Sequence, residues 1–281
     1  MLNSRNRGAR TKMMRKLYLL LFFLSISHIS FAHESHFTRK GICGYTGNAV
    51  QFQDPILVRY SPSGPFQTTV DMDVFHDNEL SNSMTLAMNV TIDKKDQDLL
   101  FKCGFDLSQF SNTDAGDTNR IIIEYLGTTR GQLKKIISII IPNKTLSESQ
   151  IKETNEMILE KIRNTVWAFS EEAIKLGDNI LSTKDVNPFP WSEKFICNEV
   201  QSPATGITNI GENEFLVGQI YGICNYKQNE LLVPFILEGH ILIDTQNGFH
   251  KSGQLCLYTT VSVDGELHTT NVNISIQSEY K

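Results

Sequence analysis

His240, Asp244 and His250 come closest to a catalytic grouping, because they flank the turn-forming tripeptide Gln246-Asn247-Gly248. If that tripeptide closes a hairpin with Gly248 in the left-handed position of a bulge, Leu257 opposes Leu237 and Leu255 opposes Gly239. Phe235, Leu237, Ile241 and Ile243 then stay together on one apolar face. Asp244 stands directly across from His250 on the other face, with His240 about 13 Å further along the strand. A histidine oriented by a carboxylate is the base half of many hydrolytic sites. On that reading the chain is an extracytoplasmic hydrolase or metal-dependent enzyme. The same residues also make an ordinary cross-strand ion pair. No nucleophile sits at a recognisable turn and no Gly-x-Ser-x-Gly pattern occurs, so the surface pair is favoured. Taking Asn247-Gly248 alone as the turn would drive Glu238 and His240 onto the apolar face, and is rejected for that reason.

Metal chemistry has thinner support. His33 and His36 could chelate copper if the chain began at His33, but His36 lies one position beyond the spacing that closes a square-planar set. Asp71 and Asp73 share a strand face, and Asp114 and Asp117 share a turn; neither pair matches a calcium loop, and outward acids commonly solubilise strands. No glycine pattern cradles phosphate. The expectation is therefore no cofactor.

All five cysteines, Cys43, Cys103, Cys197, Cys224 and Cys256, lie after residue 32 and are disulfide candidates. No C-x-x-C occurs. The hairpin registers put Cys224 on the core face and Cys256 outward opposite Glu238, about 17 Å away along the strand, too far for a bridge. The expected pairing is Cys43 with Cys103, and Cys197 with Cys224 or Cys256.

An oxidising compartment is expected because residues 1–32 have the order of an export signal. Arg5, Arg7, Arg10, Lys12, Arg15 and Lys16 precede the apolar run Leu17–Ile26, and Ser30-Phe31-Ala32 offers small residues before His33. The apolar run is too short to span a membrane, so no transmembrane anchor is expected after cleavage. Cleavage removes six of the 26 basic residues and none of the 31 acidic ones, which leaves a formal charge of −11 on the remaining 249 residues. So acidic a chain has no footprint for nucleic acid.

The elements that must position these residues alternate in two periods. Gly64–Val74 and Met84–Ile92 read as half-buried strands around a polar turn, followed by strands at 99–105, 120–126 and 135–142. Apolar residues from Ile151 to Leu176 then recur at helical spacing. Thr145-Leu146-Ser147-Glu148 resembles a capping box and Gly177 a helix stop, which predicts one long amphipathic helix over about 147–176. Asp185–Trp191, with two prolines, marks a boundary. Beyond it, strands are expected over 214–226, 231–245, 249–263 and 266–277, with Asp264-Gly265 as a two-residue turn.

The expected architecture is α+β, with antiparallel sheet before and after the long helix. Residues 33–184 form a meander plus helix and 185–281 an antiparallel β region, as two units or one. The expected function is that of an exported, soluble, non-catalytic binding module, secreted or periplasmic, whose partner is a protein, lipid or envelope component. The hydrolase or metal enzyme is one alternative. A subunit of a larger assembly is another.

Overall fold

The structure, a computed structural model, describes residues 43–106, 120–140, 168–181, 195–228, 231–263 and 265–280. Among them the chain forms eleven strands: β1 (Ser63–His76), β2 (Glu79–Lys95), β3 (Asp98–Asp106), β4 (Arg120–Gly127), β5 (Leu133–Ile140), β6 (Phe195–Gln201), β7 (Ala204–Ile210), β8 (Asn213–Gln228), β9 (Leu231–Asp244), β10 (His250–Val263) and β11 (Glu266–Tyr280). They build one antiparallel sheet in the order β5-β4-β3-β2-β1-β11-β10-β9-β8-β6, and β7 also pairs with β8. The chain walks outward from β1 to β5, re-enters at the far edge, and returns to close β11 against β1. Strands from both sides of residue 185 therefore share one sheet. Among the described residues no helix is long and apolar enough to cross a membrane.

The α+β expectation is overturned, because the described residues are all β with no helix. Residues 147–167 lie outside the described part. The remainder of the expected helix is extended and turned: Phe169 bridges Leu181, and Ile174 bridges Ile56. Of the residues at helical spacing, Phe169 is buried, but by lying across a sheet, Ala173 is half-buried and Leu176 is exposed, while Ile174, which falls outside that spacing, is buried. Gly177 does hold a positive φ of 89°, serving a turn in which the Asp178 N–H donates to Lys175 O. Helical spacing over so short a stretch is also satisfied by an irregular segment that dips repeatedly into a core.

Alternation gives the sheet an inner and an outer face. On the inner face Leu237, Ile241, Ile243, Leu255, Leu257, Val272 and Ile274 form the larger core, covered by Val58, Phe169, Ile174, Ile180 and Leu181. A second inner core gathers Phe66, Val90, Ile92, Phe101, Cys103, Tyr125 and Ile136 toward the β5 edge. The β1–β2 turn is tighter than the expected polar loop. Asp77 and Asn78 occupy positive φ (49° and 69°), so β2 begins at Glu79.

Residues 43–61 form a strap that connects the faces. It starts on the outer face, where Cys43 is bonded to Cys256, and passes the β7 edge, where Val50 bridges Ile207. It then runs to the inner face, where Ile56 pairs with Ile174 and the Tyr60 N–H donates to Thr129 O. The Arg59 guanidinium fastens this end by donating to the carbonyls of Val58, Ser170 and Glu171.

Candidate functional site

The structure disperses the expected trio. From Ser252 onward β10 pairs with β9 in the register that the apolar pattern requires, with Leu257 opposite Leu237 and Leu255 opposite Gly239. A bulge between His250 and Ser252 then shifts the count by one, so His250 opposes Ile243. A one-residue shift exchanges faces. His250 consequently turns inward, its ring 6.4 Å from that of Phe169, where burial pulls its pKa down to about 4.

Asp244 is not across from His250; its N–H donates to Phe249 O. Its carboxylate is used by the loop, accepting from the Gln246 N–H (2.8 Å), the Asn247 N–H (3.2 Å) and Asn247 Nδ2 (3.0 Å). Gly248, at φ 70°, closes the loop against the strap, where a β-carbon would lie 2.5 Å from Arg59 O. His240 remains on the outer face, Nδ1 at 3.0 Å from Cys43 O and the ring 5.5 Å from Tyr45. One histidine thus seats a cover, the other packs against Phe169 on the inner face, and the sheet separates them.

The other candidates divide similarly. His33, His36, Asp114 and Asp117 lie outside the described residues. Asp71 accepts from Thr85 Oγ1 at 2.6 Å on the outer face, and no metal-holding group of three or more His, Cys, Asp or Glu exists among the described residues. The expected Cys43–Cys103 bridge is replaced by Cys43–Cys256, and Cys197 pairs with Cys224 across β6 and β8. Cys103 cannot reach Cys43 because its side chain points inward while Cys43 lies over the outer face. Burial pushes the Cys103 thiol up to about 12, which leaves it a protonated core side chain.

Two groupings emerge that the sequence had not suggested. The first is a true histidine–carboxylate pair at the rim: Asp77 Oδ2 accepts from His268 Nδ1 at 2.8 Å, and Oδ1 accepts from the Thr269 N–H at 2.7 Å. Their hydrogen bond raises the His268 pKa and lowers that of Asp77. Both side chains are solvent-exposed.

The second is a transverse row on the outer face. Leu80 opposes Phe75, Phe75 opposes Asn271, Asn271 opposes Tyr258, Tyr258 opposes Ile236, and Ile236 opposes Ile223. At strand spacings of 4.7–4.9 Å this row is about 24 Å long. Tyr221, Leu232 and Leu267 extend it, and Ile223 and Leu232 are 51% and 59% exposed. The Tyr258 phenol donates to Glu238 Oε1 at 3.3 Å, and partial burial with that carboxylate pushes its pKa up to about 12, so it stays neutral. The row was invisible in the sequence because it combines single residues from six strands. The β1–β11 pairing joins its two halves.

No protein-family model and no curated relative matches the sequence. Among solved structures the chain is similar to a LolA superfamily protein from Nitrosomonas europaea, at 8% identity over 79% of this chain and 88% of that one, with a TM-score of 0.18. A likeness of that size transfers neither fold nor function. What stands on its own is a disulfide-bonded, all-β structure whose two bridges suit an oxidising compartment.

Proposed function

We propose that the protein is an exported, non-catalytic binding module of the periplasm or extracellular space, engaging its partner through the outer face of the sheet. The observation that carries this reading is the transverse apolar row from Leu80 to Ile223. Its members other than Asn271 are apolar or aromatic, which is the composition of an interface core. Support for a role without chemistry comes from the histidines: His240 and His250 face opposite sides, and the Asp244 carboxylate is committed to its loop. Export is supported by the charged and apolar order of residues 1–32 together with the two disulfides.

A photoreactive amino acid at position 223 tests the reading in intact cells, with the same substitution at Thr85, elsewhere on the outer face, as the control. Position 223 should yield a discrete adduct and position 85 should not. Equal labelling at both positions would refute the reading. So would a purified protein that turns over a substrate and loses that activity in His240→Ala.

A further inference from the structure

We infer that the partner is a protein segment presenting apolar side chains bordered by lysine or arginine; this rests on the outer-face reading above and adds the partner's chemistry. The next row along the same strands is Tyr221–Glu238–Cys256–Asn273–Asp73–Ser83, which sets two carboxylates directly beside the apolar row. Asp71 lies one row beyond, and Asp77 stands at the opposite border, its N–H donating to Thr269 O. Among the described residues Asp71, Asp73 and Glu238 have no ion-pair partner, whereas Asp93, Asp98 and Glu171 elsewhere are bridged by Lys102, Lys134 and Arg130.

No lysine or arginine is described on the outer face of β9 or β11, or on that of β1; Lys227, at the end of β8, is the basic residue at the corner of the row. An apolar strip bordered on one side by the unpaired carboxylates of Asp73 and Glu238, and on the other by Asp77 with its His268 partner, excludes two occupants. Anionic lipid would meet like charge along the Asp73–Glu238 border. A second copy would bring its own Asp73 and Glu238 against these. A cationic, apolar segment satisfies both parts of the surface, the apolar row giving affinity and the carboxylates giving orientation and on-rate.

The test uses the full exported chain and two acetylated twelve-residue probes, one alternating leucine with lysine and one alternating leucine with glutamate. Binding is measured by anisotropy at two salt concentrations. The lysine peptide should bind at least tenfold more tightly than the glutamate peptide, and more weakly in high salt. Ile223→Glu should weaken it at least tenfold although it adds negative charge. Asp73→Asn with Glu238→Gln should reduce both affinity and salt dependence.

Absence of binding, or binding that ignores Ile223→Glu, overturns the inference, the latter by showing attraction to net charge alone. Phosphatidylglycerol vesicles bound in preference to the peptide, or a dimer dissociated by Ile223→Glu in sedimentation, would also overturn it. Those two outcomes keep the outer face as a binding surface and remove only the proposed partner. Loss of the position-223 adduct in cells would remove both.

Discussion

Strands β8 and β9 carry apolar side chains on their outer face in two places, and the molecule treats them in opposite ways. Phe215, Val217 and Leu242 are sealed beneath Tyr45 of the strap, with Val217 and Leu242 only 1% and 4% exposed. About 20 Å and about 33 Å further along the same strands, Ile223 and Leu232 stand in water. Residue type and strand geometry are shared, so the difference lies in the cover. Full burial of such a side chain is worth ~1.5–3 kcal/mol. The chain gains that at one patch by wrapping its own strap over it and forgoes it at the next, which leaves the second patch free for another molecule.

The comparison breaks most visibly if the strap is released. Cys43→Ser with Cys256→Ser opens a bridge between residues 213 apart in sequence, and should lower the unfolding free energy in urea by about 3–5 kcal/mol. Amide exchange should speed up at Val217 and Leu242 while Ile223 changes little. Equal change at all three amides would mean that the strap is not what distinguishes the patches. A smaller effect is expected from truncating single side chains. Leu242→Ala should cost about 2–4 kcal/mol, whereas Ile223→Ala should stay within about 0.5 kcal/mol. A comparable loss at Ile223 would show that it is covered in the free protein.

The contrast also marks where sequence reasoning reached and where it stopped. The rungs Val263–Glu266, Leu257–Val272 and Leu255–Ile274 follow from the Asp264-Gly265 turn and strict alternation, and they hold in the structure. The β9–β10 register holds as well, until the bulge after His250 moves that residue to the other face. Alternation constrains a strand only as a whole, so it cannot place a single inserted residue at its end. Strands β6 and β7 escaped notice because each is seven residues long and the pair is interrupted at Ser202-Pro203. The strap and the β1–β11 pairing join residues some two hundred positions apart, and no local pattern encodes such neighbours. The apolar row depends on that pairing, so it became visible only with the fold.

The smallest expected effects separate two histidines by the same criterion, cover against exposure. His250, held inward against Phe169, has its pKa lowered from 6.5 to about 4 by burial. Its unfolded form binds the proton more tightly, so its contribution is complete above pH 6.5 and is lost as pH falls toward 4. The loss is on the order of 3 kcal/mol. His250→Gln should remove that slope from the unfolding free energy measured between pH 7 and pH 4. At the exposed rim the sign reverses. The hydrogen bond to Asp77 raises the His268 pKa, so its contribution is present below the unfolded value and fades as pH rises through the folded one. Solvent screening keeps such a pair weak. Asp77→Asn retains a residue tolerant of positive φ and should return the His268 titration, followed by NMR, toward 6.5 without moving the denaturation midpoint. If His268 instead carried the larger pH slope, exposure in the free chain would be a poor guide to which side chains this sheet uses to hold itself together, and the apolar row would lose its claim to be set aside for a partner.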